Sequence, residues 1–167
     1  MSLDFSDIDS LVDYGFTGFK SIKFLRSNKS ILPNKKGIYL VLNPNKSNME
    51  FIIPGVGGFF KGKDPNVAED MLMANYVKGT PVLYIGKAGG NNSNATLHSR
   101  INQYLKFGEG KNIGHWGGRL IWQIKHHEDL QLCWKVTPNE EPREIEKKLI
   151  GEFINHYGVI PFANLMR

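Results

Sequence analysis

Apolar runs punctuated by Gly, Pro and Asn divide this chain into short strands and two well-marked helices. Lys36-Gly37-Ile38-Tyr39-Leu40-Val41-Leu42 reads as a buried strand, closed by the turn residues Asn43-Pro44-Asn45. Phe51-Ile52-Ile53 predicts a second, short strand. Residues 54–66 are rich in glycine and lysine and predict a long loop, and 67–77 predict a helix. Pro81-Val82-Leu83-Tyr84-Ile85-Gly86 is a strand with a glycine stop, followed by a polar loop over 89–93. Over 95–107, Leu97, Ile101, Tyr104 and Leu105 share a helical face, and Gly108 predicts its end. Residues 113–125 fit neither period, and 130–137 alternate as a strand. The last element, 141–157, opens on Pro142 and closes at Gly158, the asymmetry of a helix. Residues 20–35, basic and polar and ending in Pro33-Asn34, predict a loop within an N-terminal extension, 1–35.

The final helix carries an informative misfit. Its apolar residues are Ile145, Leu149, Ile150, Phe153, Ile154 and Tyr157. Advancing about 100° per residue, Glu146 falls in the middle of that stripe. An inward carboxylate is costly unless it is paired or bound to a metal. A buried ion pair with an arginine satisfies it, and so does a divalent cation, which prefers oxygen donors. The helix at 95–107 places Arg100 and Tyr104 four apart on one face. Arg100 there either snorkels to solvent or clamps a phosphate with its planar fork. Phosphodiester cleavage needs a cation against the developing charge and a fixed positive group on a non-bridging oxygen.

Bulk properties narrow the choice. With 167 residues, 41% hydrophobic and 22% charged, the chain predicts one globular domain, 1–167. No apolar run approaches the roughly 20 residues of a membrane helix, so no membrane partner is expected. Residues 1–13 hold four aspartates and no basic group, unlike a targeting peptide, and a cytoplasmic location is expected. The single cysteine, Cys133, excludes an internal disulfide and sits in an alternating run that predicts a buried structural thiol. A net charge of +5 suits an acidic partner such as nucleic acid.

Two tripeptides, Gly37-Ile38-Tyr39 and Tyr84-Ile85-Gly86, place a tyrosine beside a glycine near a strand end. With Lys87, Arg100, Tyr104 and an inward Glu146, the set resembles the GIY-YIG nuclease family. The run from Tyr84 through Lys87-Ala88, Leu97, Arg100 and Tyr104 is similar to the nuclease domain of the bacterial nucleotide-excision repair excinuclease. The tail from Glu146 to Pro161-Phe162-Ala163-Asn164 resembles the segment bearing that family's metal-binding glutamate and terminal asparagine. The resemblance covers residues 36–43 and 81–164. It implies an α/β (α+β) fold, a small central three-stranded antiparallel sheet flanked by helices, with strands from 36–43, 81–87 and 130–137. It implies that Glu146 binds one divalent cation, Mg²⁺ or Mn²⁺, that Tyr39 activates or aligns the attacking water, and that Arg100 binds the scissile phosphate. Tyr84, Lys87 and Tyr104 then position phosphate or water, and Asn164 holds the site together. A free tyrosine has a pKa near 10, so Tyr39 needs help from the metal or Lys87. One departure is the separation of the tripeptides by a long insert, 43–80, between the first two core strands. The insert reads substrate, forms a dimer contact or decorates the fold.

Other signals are set aside. Residues 57–64 approach a P-loop, but Asp64 stands where the Mg²⁺-binding hydroxyl belongs, and Lys61 and Lys63 suit a phosphate backbone better. The histidines His98, His115, His126, His127 and His156 lack zinc spacing with the lone cysteine. His115, before Trp116-Gly117-Gly118-Arg119, stands out: the glycines and Arg119 either form a turn near phosphate or, as the default, the segment serves the packing of Trp116. Phe16, Phe19, Phe59 and Phe60 either stack on bases or pack in the core, and core burial is the default for most of them. The expected activity is metal-dependent endonucleolytic hydrolysis of DNA in repair, restriction or mobile-element biology. The alternatives are a non-catalytic nucleic-acid-binding domain and a nuclease that needs a targeting partner or a homodimer.

Overall fold

Strands β1 (Thr17–Ser21), β2 (Gly37–Leu42), β3 (Val82–Ala88) and β4 (Gln131–Val136) form one antiparallel sheet in the spatial order β1, β4, β2, β3. This is a computed structural model that describes residues 3–45 and 49–165. Five α-helices are present among the described residues: α1 (Ile8–Tyr14), α2 (Ile22–Arg26), α3 (Glu69–Asn75), α4 (Leu97–Phe107) and α5 (Pro142–Tyr157). The fold is a mixed α+β arrangement, and no described helix is long and apolar enough to cross a membrane.

The period of β2 assigns the two faces of the sheet. Ile38, Leu40 and Leu42 pack with Leu149 and Phe153 of α5 and with Leu11 and Phe16 around α1. Tyr39 and Val41 point the other way, into a core with Leu97, Ile101 and Tyr104 of α4 and with Trp122. β2 is central and covered on both faces, so all six of its residues are buried.

The expected three-stranded sheet is corrected to four strands. The fourth, β1, lies in the N-terminal extension and pairs with β4. Its sequence, Thr17-Gly18-Phe19-Lys20-Ser21, has no apolar alternation, because a bulge between Gly18 and Lys20 puts Phe19 at φ 55°. The loop expected over 20–35 instead contains the end of β1, α2 and a 3-10 turn at Lys29–Ile31. Asp7 caps α1 and Gly15, at φ 116°, ends it. Phe51–Ile53 is not a strand; Phe51 makes one isolated bridge to Ile124. The helix expected over 67–77 is shorter, Glu69–Asn75.

The insert buttresses the wall behind the candidate site. Ile52 N–H donates to the Gln123 carbonyl at 2.8 Å, Val56 N–H to Trp122 at 3.0 Å and Gly58 N–H to Phe107 at 2.9 Å. The buried Gln123 amide returns the link, accepting from Val67 N–H and donating to its carbonyl. The Lys61 amide donates to Asn112 at 3.2 Å. These bonds give residues 107–125, which lack long regular structure, a partner along much of their length.

Candidate active site

Cross-strand register explains the glycine of the second tripeptide. Tyr39 on β2 stands opposite Gly86 on β3. A Cβ on Gly86 would lie 2.5 Å from Tyr39 Cζ and 2.8 Å from Tyr84 Cε2, so only glycine admits both rings. Gly37 is constrained likewise: a Cβ there would lie 2.2 Å from the Lys135 carbonyl oxygen. The two tripeptides are therefore one packing unit across a strand pair, with the tyrosine ring centroids 6.0 Å apart.

Helix α4 delivers Arg100. Its N-terminus carries a capping box, with Ser99 N–H donating to Thr96 Oγ1 and Thr96 N–H to Ser99 Oγ. The next free amides, of Leu97 and His98, donate to the Lys35 and Pro33 carbonyls just before β2. This ties the start of α4 to the start of β2. One turn later, the Arg100 guanidinium donates to Gln103 Oε1 at 3.1 Å and to the Gly114 carbonyl at 3.0 Å.

Helix α5 delivers Glu146. Its buried line is Pro142, Glu146, Leu149 and Phe153, narrower than the stripe expected from sequence, and Ile154 is exposed. Glu146 is 5% exposed and faces a cleft instead of lying sealed in the core.

The cleft has two adjoining parts that share lining residues. One, of about 450 Å³, is lined by Tyr39, Tyr84, Lys87, Arg100, Gln103 and Glu146. The other, of about 650 Å³, lies beside it and includes Arg143, Lys147 and Asn164. Tyr84, Gly117 and Glu146 line both. Residues from β2, β3, α4 and α5 thus converge on one concavity.

His115 was outside the residue set expected from the motifs. It is fully buried, and its Nε2 lies 2.8 Å from the Tyr39 hydroxyl. Its Nδ1 lies 2.8 Å from the Gly117 carbonyl. A carbonyl only accepts, so Nδ1 carries the proton and Nε2 accepts from Tyr39. Burial first, and then the charge of Arg100, push the His115 pKa down to about 3, so the ring is neutral near pH 7. Burial also raises the Tyr39 phenol well above its ordinary value; the interaction with Tyr84 adds to this and Arg100 opposes it. The partner expected to help Tyr39, Lys87, lines the cleft, but the hydroxyl itself is held by His115.

Tyr104 and Asn164 hold the framework. Tyr104 is fully buried and donates to the Gly118 carbonyl at 2.8 Å, with its ring 4.2 Å from that of His115. Its hydroxyl is committed to the loop and not offered to the cleft, unlike the phosphate or water role expected from the motif. Gly118, at φ 81°, makes the turn, and a Cβ there would press on Tyr84 at 3.0 Å. The Asn164 amide accepts from Ile85 N–H and donates to the Ile85 carbonyl, both at 3.0 Å. Ala163 N–H also donates to Leu83, so the tail pairs with the open edge of β3.

Among the described residues, Glu146 is the one carboxylate that lines both spaces. Glu146 supplies carboxylate oxygen at the junction of the two spaces, and Mg²⁺ is commonly held by one or two carboxylates, retained waters and substrate phosphate. Among the described residues no group of three or more His, Cys, Asp or Glu is placed to cage a metal. Cys133 takes no part: it is buried, and burial pushes its thiol far above the ordinary range. Comparison with models of protein families, with curated proteins and with solved structures finds no match to this chain.

Proposed function

We propose that this protein is a divalent-cation-dependent endonuclease that hydrolyses DNA phosphodiester bonds through a site of the GIY-YIG type. The observation that carries the reading is the convergence of Tyr39, Tyr84, Lys87, Arg100 and Glu146, drawn from four separate elements, on one cleft. The net charge of +5 supports a polyanionic substrate.

Arg100 holds a non-bridging oxygen of the scissile phosphate, with two of its contacts already fixing the guanidinium. Attack by water proceeds as a relay. The water proton passes to the Tyr39 oxygen while the Tyr39 proton passes to His115 Nε2; the P–O bond to the leaving strand breaks, and that oxygen takes a proton from solvent. Glu146 would hold the cation, which when bound would supply charge stabilisation to the phosphate oxygens. Burial first, and the nearby Arg100 charge second, make His115 a poor base. A phosphate on Arg100 offsets that charge and raises the proton affinity of His115, so the base strengthens when substrate is present.

The second reading is a binding domain without catalysis. One observation favours it: burial holds Tyr39 protonated and His115 neutral, so neither of the two is a ready base near pH 7. Nicking of supercoiled plasmid with Mg²⁺ or Mn²⁺ separates the two. Catalysis predicts nicking that Glu146→Gln abolishes while DNA binding persists. Gel shift without any cleavage by the unaltered protein selects the binding domain, and failure to bind or cleave DNA removes both.

A further inference from the structure

The larger part of the cleft has no task in the chemistry above. It is lined on one side by α5, where Arg143, Glu146, Lys147 and Ile150 fall at helical spacings of three and four and share a face. Glu146 belongs to both parts, with Arg100 and Lys87 on one side of it and Arg143 and Lys147 on the other. Arg143 and Lys147 are exposed, and among the described residues neither forms an ion pair. Arg143 also stands in the first turn of α5, where the helix dipole is positive and favours acids over bases. Helix stability gives no reason for a base there. An arriving anion is served by the dipole and both side chains together.

We propose that Arg143 and Lys147 form a second phosphate subsite, on the far side of Glu146 from Arg100. The occupant is a backbone phosphate of the same polynucleotide, next to or near the scissile one. A space of about 650 Å³ accommodates a nucleotide. The substrate is then a strand that continues through the cleft with phosphates held on both sides of the carboxylate, which makes the cut internal and not terminal. This rests on reading the cleft as a nucleic-acid site.

The test is the salt dependence of binding to a blunt DNA duplex, measured in Glu146→Gln so that cleavage does not interfere. Each phosphate neutralised contributes about 0.9 to the slope of log K against log salt. Adding Arg143→Gln and Lys147→Gln is expected to lower the slope by about 1 and weaken binding at low salt. Lys20→Gln with Lys23→Gln removes equal charge around β1, at the opposite edge of the sheet from β3, and is expected to leave the slope unchanged. An unchanged slope in the α5 pair overturns the subsite, and so does an equal drop in both pairs, which marks general charge. If the protein carrying native Arg143 and Lys147 binds no DNA, the functional reading itself falls, and the subsite with it.

Discussion

Replacing Gly86 with alanine isolates the contact that makes one unit of the two tyrosines. The added Cβ would stand 2.5 Å from Tyr39 Cζ and 2.7 Å from the Tyr39 hydroxyl oxygen. Ordinary contact begins at 3.4 Å, so the ring must retreat by about 0.9 Å, the difference between the two. Tyr39 is fully buried between Tyr84, Tyr104 and His115, so the retreat has no free volume to enter. Overpacking of this kind costs about 1–3 kcal/mol. A stable domain holds about 5–15 kcal/mol, so the variant remains folded. Function suffers more than stability. The Tyr39 to His115 bond of 2.8 Å does not survive a shift of that size in the wrong direction. Misplacing a reacting group by about 1 Å costs on the order of 100-fold in rate. The assay pairs urea unfolding with single-turnover plasmid nicking. Gly151→Ala serves as the control: it lies in α5 with nothing within 4 Å of an added Cβ. It is expected to gain about 0.5–1 kcal/mol and keep the native rate. If Gly86→Ala nicks at the native rate, or loses activity only in proportion to its unfolded fraction, the packing argument for the tripeptides is wrong.

Three further outcomes follow from the same geometry. His115 has a folded pKa of about 3 against about 6.5 unfolded, so the unfolded chain binds the extra proton between these values and stability falls as pH drops through that window. His115→Gln should flatten the dependence of stability on pH by up to about 1.4 kcal/mol per pH unit there, read by denaturation at each pH; identical slopes would place the ring in solvent. Tyr104→Phe leaves the Gly118 carbonyl without its donor and should cost about 1–2 kcal/mol, with nicking reduced through loop displacement and not through loss of DNA affinity. A raised Kd with an unchanged rate at saturation would instead return Tyr104 to phosphate binding. Asn164→Ala removes two bonds to the Ile85 backbone and should speed hydrogen exchange of the Ile85 amide relative to Leu40 in the sheet centre; equal protection in the variant would refute the edge-sealing role.

Local chemistry fixed more of this protein than its length of irregular chain suggests. The strands around Tyr39, Tyr84 and Cys133 and the helices bearing Arg100 and Glu146 were legible because periodicity, Pro142 and Gly158 act within a few residues. The inward aim of Glu146 was legible for the same reason, since a helix converts spacing into direction. Gly108 shows the limit of such signals. It follows α4 as expected, but at φ −70°, and a Cβ there would lie 2.5 Å from the Trp122 ring, so close packing and not a left-handed turn requires glycine.

What only the tertiary structure decided depends on contacts between distant residues. β1 has no alternation of its own and becomes a strand because β4 offers an edge to pair with. His115 meets Tyr39 across 76 positions of sequence, through a glycine turn held by Tyr104 and a wall held by the insert. No local pattern encodes that meeting. The proton state of the pair is likewise a property of burial and of the nearby Arg100 charge, neither of which exists until the chain has folded. The sequence by itself determined which chemical groups are present and which faces they occupy; folding decided which of them touch, because hydrogen bonds and desolvation act through space and not along the chain.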